Sequence, residues 1–227
     1  MESTVVIKQP IEVVNELEAL GLDADDLREA VRLADVFRGT LTPHHPTYFV
    51  GMAPQAETVK VLSDLLVPKG WVRRDINTSP RLVSPDGLVS IAVNSGDEWT
   101  GRPLANPRTR SAKGSTTQND IKRNAEQYPL PMDVPVSYRP KRALPSVAEL
   151  PAITPLSATT TWFLLFFAAS DEVRCELSLP VSVDEDEHAS EWRKRIILPS
   201  IPTEPGPRLR KSQDEVEFDV PVMRKTK

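Results

Sequence analysis

TTWFLLFFAASDEVRCELSL, residues 160–179, decides how this chain folds. Its first half is an apolar run without a charge, rich in aromatic and β-branched types. The run 162–169 is far shorter than the roughly 20 residues that cross a bilayer as a helix. Such a run reads as a strand buried on both faces. Ala169, Ser170 and Asp171 supply a turn, and from Glu172 the period becomes two. Val173, Cys175, Leu177 and Leu179 are expected to point inward, and Glu172, Arg174, Glu176 and Ser178 outward to solvent. A hairpin of this kind belongs at the centre of a sheet.

Further strands lie upstream. Residues 71–76, 81–84 and 88–93 alternate, and are separated by Asn77-Thr78-Ser79-Pro80 and Ser84-Pro85-Asp86-Gly87. This predicts a three-stranded antiparallel meander. In the second turn Pro85 presets φ, Asp86 can bond its own backbone and Gly87 takes positive φ.

The N-terminal third is helical. Pro10 at a first-turn position, Val13, Leu17 and Leu20 at helical spacing, and Gly21 past the end predict one helix. Asp23 caps a second, with Leu27, Ala30, Val31 and Ala34 on one face and Gly39 as its stop. A third is expected over 54–66, carrying Val59, Leu62 and Leu66, with 40–51 as a loop. Ser115 and Gln118 have capping-box spacing, and predict a helix to Tyr128 with Ile121, Ala125 and Tyr128 facing the core.

The fold class is therefore α+β, with N-terminal helices packed on a mostly antiparallel sheet, a proline-rich connector and an extended C-terminal tail. Residues 1–128 hold the helices, meander and capped helix, 129–156 the connector, and 157–227 the hairpin region and tail, expected to complete the same single domain. The tail carries a late alternating piece, Val216, Phe218 and Val220. The 22 prolines against 9 glycines predict rigid, extended connections in the second half.

A formal net charge of -4 argues against general affinity for nucleic acid or anionic membranes. The lone Cys175 cannot form an intramolecular disulfide, and MESTVVIKQP lacks the basic and apolar regions of a secretory leader, so a soluble, cytoplasmic protein is expected. The combination Gly70-Trp71-x-Arg73-x-Asp75, Pro85-Asp86-Gly87 and Ser95-Gly96-Asp97-x-x-Thr100-Gly101 is similar to patterns in bacterial and phage proteins, and implies no activity.

The longest excursion is residues 94–119, NSGDEWTGRPLANPRTRSAKGSTTQN. Long ordered loops in compact domains are often functional. Here acids gather at one end and bases at the other. Arg102, Arg108, Arg110 and Lys113, with Gly114, Ser115 and Thr116 at a helix N-terminus, form the candidate anion- or partner-binding set. The order Lys113-Gly114-Ser115 is not a Walker A loop. Two further readings follow from the same stretch. The basic residues could contact nucleic-acid phosphates, or Asp97 and Glu98 could hold Mg²⁺ beside Lys113 in a nuclease, although the acid-x-Lys pair such enzymes use is missing. A winged helix-turn-helix fits poorly, because the third helix carries only Lys60 against Glu57 and Asp64.

Other chemistry finds little support. His44 and His45 are loop histidines, and His188 is distant in sequence. Cys175 reads as a buried thiol. The run 184–187 lacks the glycine and ligand spacing of a calcium loop. No catalytic residue, metal or cofactor is assigned. The expectation is a non-catalytic binding or regulatory module with a protein partner, nucleic acid being the alternative and a membrane not expected.

Overall fold

The computed structural model describes residues 4–127 and 159–203. The connector 129–156, Tyr128 and the late alternating piece at 216–220 lie outside the described residues. Eight strands form one sheet: β1 (Val5–Ile7), β2 (Val72–Ile76), β3 (Ser79–Val83), β4 (Val89–Ser95), β5 (Thr160–Ala168), β6 (Glu172–Val183), β7 (Ala189–Ile197) and β8 (Ile201–Pro202). Their order is β1-β7-β6-β5-β4-β3-β2, and β8 pairs with β6. Only β1–β7 and β4–β5 are parallel. The mostly antiparallel α+β architecture is present, with the 160–179 hairpin at its centre.

Helices α1 (Pro10–Ala19), α2 (Ala24–Gly39) and α3 (Thr47–Leu66) cover one face. Leu17, Leu27, Val31, Leu62 and Leu66 pack there against Trp162, Leu164, Cys175, Leu177 and Ile196. Asp23 caps α2 by accepting the Asp25 N–H at 2.8 Å, as its position in the sequence implies. Helix α3 begins two turns before the expected start and carries Pro54 inside it. The early turns expose Tyr48 and Met52, so no apolar period announces them.

Helix α4 (Ser115–Glu126) lies on the opposite face. Ile121 packs there with Ala92, Phe163, Leu165 and Trp192. Ala125 is exposed, contrary to expectation, and the inward position belongs to Asn124. Its amide donates to the carbonyls of Thr161 and Pro180 at 2.8 and 3.0 Å, while its oxygen accepts the Thr161 N–H at 2.9 Å. Asn124 thus joins the helix to the two central strands. The Asp120 carboxylate accepts from the buried Arg81 guanidinium at 2.9 Å.

The first meander turn is tighter than expected. Asn77 and Thr78 take φ of 47° and 65°, the left-handed pair of a two-residue hairpin, so Ser79 and Pro80 join β3. The strand β1 gave no signal in the sequence.

Because both faces of the centre are covered, the expectation that Arg174, Glu176 and Ser178 face solvent is wrong. All three are buried, Glu176 completely. The alternation correctly separates two faces, but the second meets protein rather than water.

Candidate binding surface on the 94–119 loop

What buries that second face is α4 together with the 94–119 loop. The loop leaves β4 at Gly96, whose N–H donates to the Phe166 carbonyl at 2.9 Å, and returns at Thr109, which bridges Gly96. A Cβ on Gly96 would lie 2.1 Å from the Thr100 hydroxyl oxygen, so this close turn requires glycine. Asp97 ties the two ends together. One oxygen accepts the Trp99 N–H at 3.1 Å and the other the Arg108 N–H at 3.0 Å. Burial pushes this carboxyl above its ordinary range, the two amide bonds oppose that, and the charge of Glu98 adds to it.

Glu176 and Arg195 organise the middle of the excursion. Glu176 on β6 is fully buried and Arg195 on β7 is 1% exposed. They form a two-pronged pair, Nε to Oε1 at 2.9 Å and Nη2 to Oε2 at 2.6 Å. The remaining valences go to the loop and the sheet. Glu176 also accepts the Ser178 hydroxyl at 2.7 Å and the Gly101 N–H at 2.8 Å, while Arg195 donates to the carbonyls of Arg102, at 3.2 Å, and Ala105. Gly101 has φ +74°, and a Cβ there would stand 2.8 Å from the Arg174 Cβ. Arg174 itself donates to the Glu98 carbonyl at 2.9 Å and stacks over Phe167.

The far limb is pinned by β7. The Trp192 indole N–H donates to the Pro107 carbonyl at 2.8 Å, the Asn106 amide to the Ser190 carbonyl at 2.6 Å, and the Ala189 N–H to the Thr109 hydroxyl at 3.0 Å. The loop is thus an integral layer of the domain.

The basic residues expected to work together are dispersed by this arrangement. Arg108 is paired with Asp184 at 2.7 Å and Asp186 at 2.8 Å, so the acidic run 184–187 neutralises it. Lys113 is only 9% exposed and donates to the Asn94 side-chain oxygen at 2.9 Å. Burial, with a smaller contribution from Arg81, lowers its ammonium to about 8. Arg102 and Arg110 remain exposed. The capping box does not form. Gly114 is the N-cap, Ser115 is already helical, and Gln118 instead donates to the Lys113 carbonyl at 2.7 Å. Thr116 accepts from the Asn77 side chain at 3.2 Å, seating the β2–β3 hairpin tip on the start of α4.

The nuclease arrangement is not assembled in this geometry. The Asp97 carboxylate serves the loop backbone, Glu98 is exposed, and Lys113 faces an amide. Among the described residues no three histidine, cysteine, aspartate or glutamate side chains gather around a common point. Burial pushes the Cys175 thiol up to about 12, consistent with a packing role.

Residues absent from the expected set stand out on the loop's outer side. Leu104 is fully exposed, at 101%, and Trp99 is 47% exposed. Consecutive turns link them, the Arg102 N–H donating to the Trp99 carbonyl and the Ala105 N–H to that of Arg102. Trp99, Arg102 and Leu104 are therefore exposed neighbours on two consecutive turns, a stretch called the ridge below. The apolar character of Trp99 and Leu104 inside a polar loop was the available signal.

No family profile, curated protein or solved structure matches this chain. Among the described residues no helix is long and apolar enough to cross a membrane.

Proposed function

We propose that this chain is a non-catalytic binding module that holds a protein partner on the ridge of Trp99, Arg102 and Leu104. The observation that carries this reading is a fully exposed leucine and a half-exposed tryptophan on a backbone anchored by the buried Glu176–Arg195 pair. Tryptophan and arginine dominate the energetics of many interfaces. A ridge ordered before contact loses little conformational freedom on binding, so more of its contact energy becomes affinity. Arg102 favours a partner with carboxylates near its apolar contacts.

Pairing of Arg108 and burial of Lys113 leave only Arg102 and Arg110 of the basic set available, which weakens the case for phosphate recognition. A photo-cross-linking residue at position 104 in the full chain, expressed in the source cells, tests the proposal. A discrete adduct that disappears with Trp99→Ser and Arg102→Ala is the expected result. An adduct unaffected by those changes, or none, would remove the ridge from consideration. Salt-sensitive DNA or RNA binding that Arg102→Ala and Arg110→Ala abolish would replace this reading with nucleic-acid recognition.

A further inference from the structure

The sheet ends at β2, and among the described residues no strand pairs with its outer side. Asn77 and Thr78 form the two-residue turn into β3, so the closing residues Ile76 and Ser79 exchange backbone hydrogen bonds. By the alternation of an antiparallel ladder, Arg74 does the same with Arg81, and Val72 with Val83. Asp75 stands opposite Pro80, at one of the intervening positions where the two strands exchange none. The N–H and carbonyl groups of Arg73 and Asp75 therefore point away from β3, along an edge on which residues 72–75 are all exposed.

We infer that this edge pairs with the same edge of a second copy of the chain, antiparallel about a two-fold axis through Arg74. Charge complementarity selects both the occupant and the register. Outward groups can bond only outward groups, so Arg73 meets Arg73, or Asp75 meets Asp75, or each meets the other. The last register alone sets opposite charges face to face, and the two-fold axis makes it do so twice. It also uses every outward N–H and carbonyl of Arg73 and Asp75, and brings Val72 opposite Ile76. Edge strands commonly keep copies apart by charge, whereas the change of sign between positions 73 and 75 makes this one complementary to itself. Within one copy these two side chains touch only at 3.3 Å and stay more than half in solvent, so pairing gives up little. Arg74 meets its own copy on the axis, and that like-charge contact on a short strand makes the association weak. The inference shares no residue with the ridge and does not depend on it.

Analytical ultracentrifugation of the full chain tests this between about 20 µM and about 1 mM, the range a small interface requires. The mass is expected to rise toward that of a dimer. Arg73→Asp or Asp75→Arg alone sets like charges opposite each other at both pairs, and should weaken association roughly tenfold. An equimolar mixture of those two variants restores opposite charges and should associate again, while Arg74→Thr should associate more tightly than the unaltered chain. Hydrogen exchange adds a readout of the strand pairing itself. The amides of Arg73 and Asp75 should exchange several-fold more slowly at the high concentration, and that of Arg74, already bonded to β3, should not change. A chain that stays monomeric at the highest concentration, or a dimer indifferent to both charge reversals, would overturn the proposal. Protection of amides 73 and 75 that does not vary with concentration would also overturn it, assigning the edge to another part of the same chain.

Discussion

Removing the Arg195 guanidinium should be among the most damaging single changes in this domain. In Arg195→Met the Glu176 carboxylate stays fully buried and keeps only the Ser178 hydroxyl and Gly101 N–H as donors. Breaking a buried pair from one side destabilises by about 3–5 kcal/mol, because the remaining charge is uncompensated. The Arg102 and Ala105 carbonyls lose their donor too, a smaller loss because these groups are neutral. The expected loss is therefore about 4 kcal/mol, a large part of the 5–15 kcal/mol typical of a folded domain. Removing both charges with Arg195→Met and Glu176→Leu strands only neutral groups, and should cost roughly 2 kcal/mol. The double variant is thus expected to be more stable than either single one. Urea unfolding followed by tryptophan fluorescence reads this directly, as Trp162 and Trp192 are buried in the two cores. Additive losses, or an Arg195→Met midpoint equal to that of the unaltered protein, would refute the role given to this pair.

Three further expectations follow from the same layer. Lys113 has a folded-state pKa of about 8 against 10.5 for the free side chain, so its protonated form is disfavoured by folding. The penalty, on the order of 3 kcal/mol, is present below pH 8 and relieved as pH rises toward 10.5. Cys175 acts in the opposite direction above pH 9, because its folded pKa is raised to about 12. Stability should therefore rise by about 1 kcal/mol between pH 7.5 and 9, and Lys113→Met should flatten that rise; equal slopes would contradict the burial of this amine. Gly101→Ala forces an L side chain into φ +74° and onto Arg174, with an expected loss of about 2 kcal/mol. An unchanged urea midpoint would count against the close approach. Arg108→Ala removes exposed ion pairs only, so the unfolding midpoint should stay put while the amides of residues 185–187 exchange faster.

Legibility in the sequence followed the range of the physical cause. The β5–β6 hairpin was readable because an apolar run and a period of two are local signals, and α2 because Asp23 and its apolar stripe fall within one short window. Glu176 was misread for the opposite reason. Its alternation with Cys175 and Leu177 separates the faces, but the cover on the second face comes from residues 96–113, more than 60 positions away. Arg195 offered no local mark of its pairing. The long loop was recognisable as an excursion from its polar run between a strand and a helix start. Its internal bonding was not, so Arg108 and Lys113 looked available when one is paired and the other buried. Pro54 was read as a helix start because Tyr48 and Met52 give the preceding turns no apolar face.

The pairing of β1 with β7 sets the order in which the domain can be completed. Val5 meets Lys194, a separation of 194 − 5 = 189 residues, and the partner strand must already lie beside β6 before the contact is available. Of the described strands, β1 leaves the ribosome before the others but can pair only after β7, residues 189–197, has emerged. Amide protection at residues 5–7 therefore reports a late step of assembly rather than an early one.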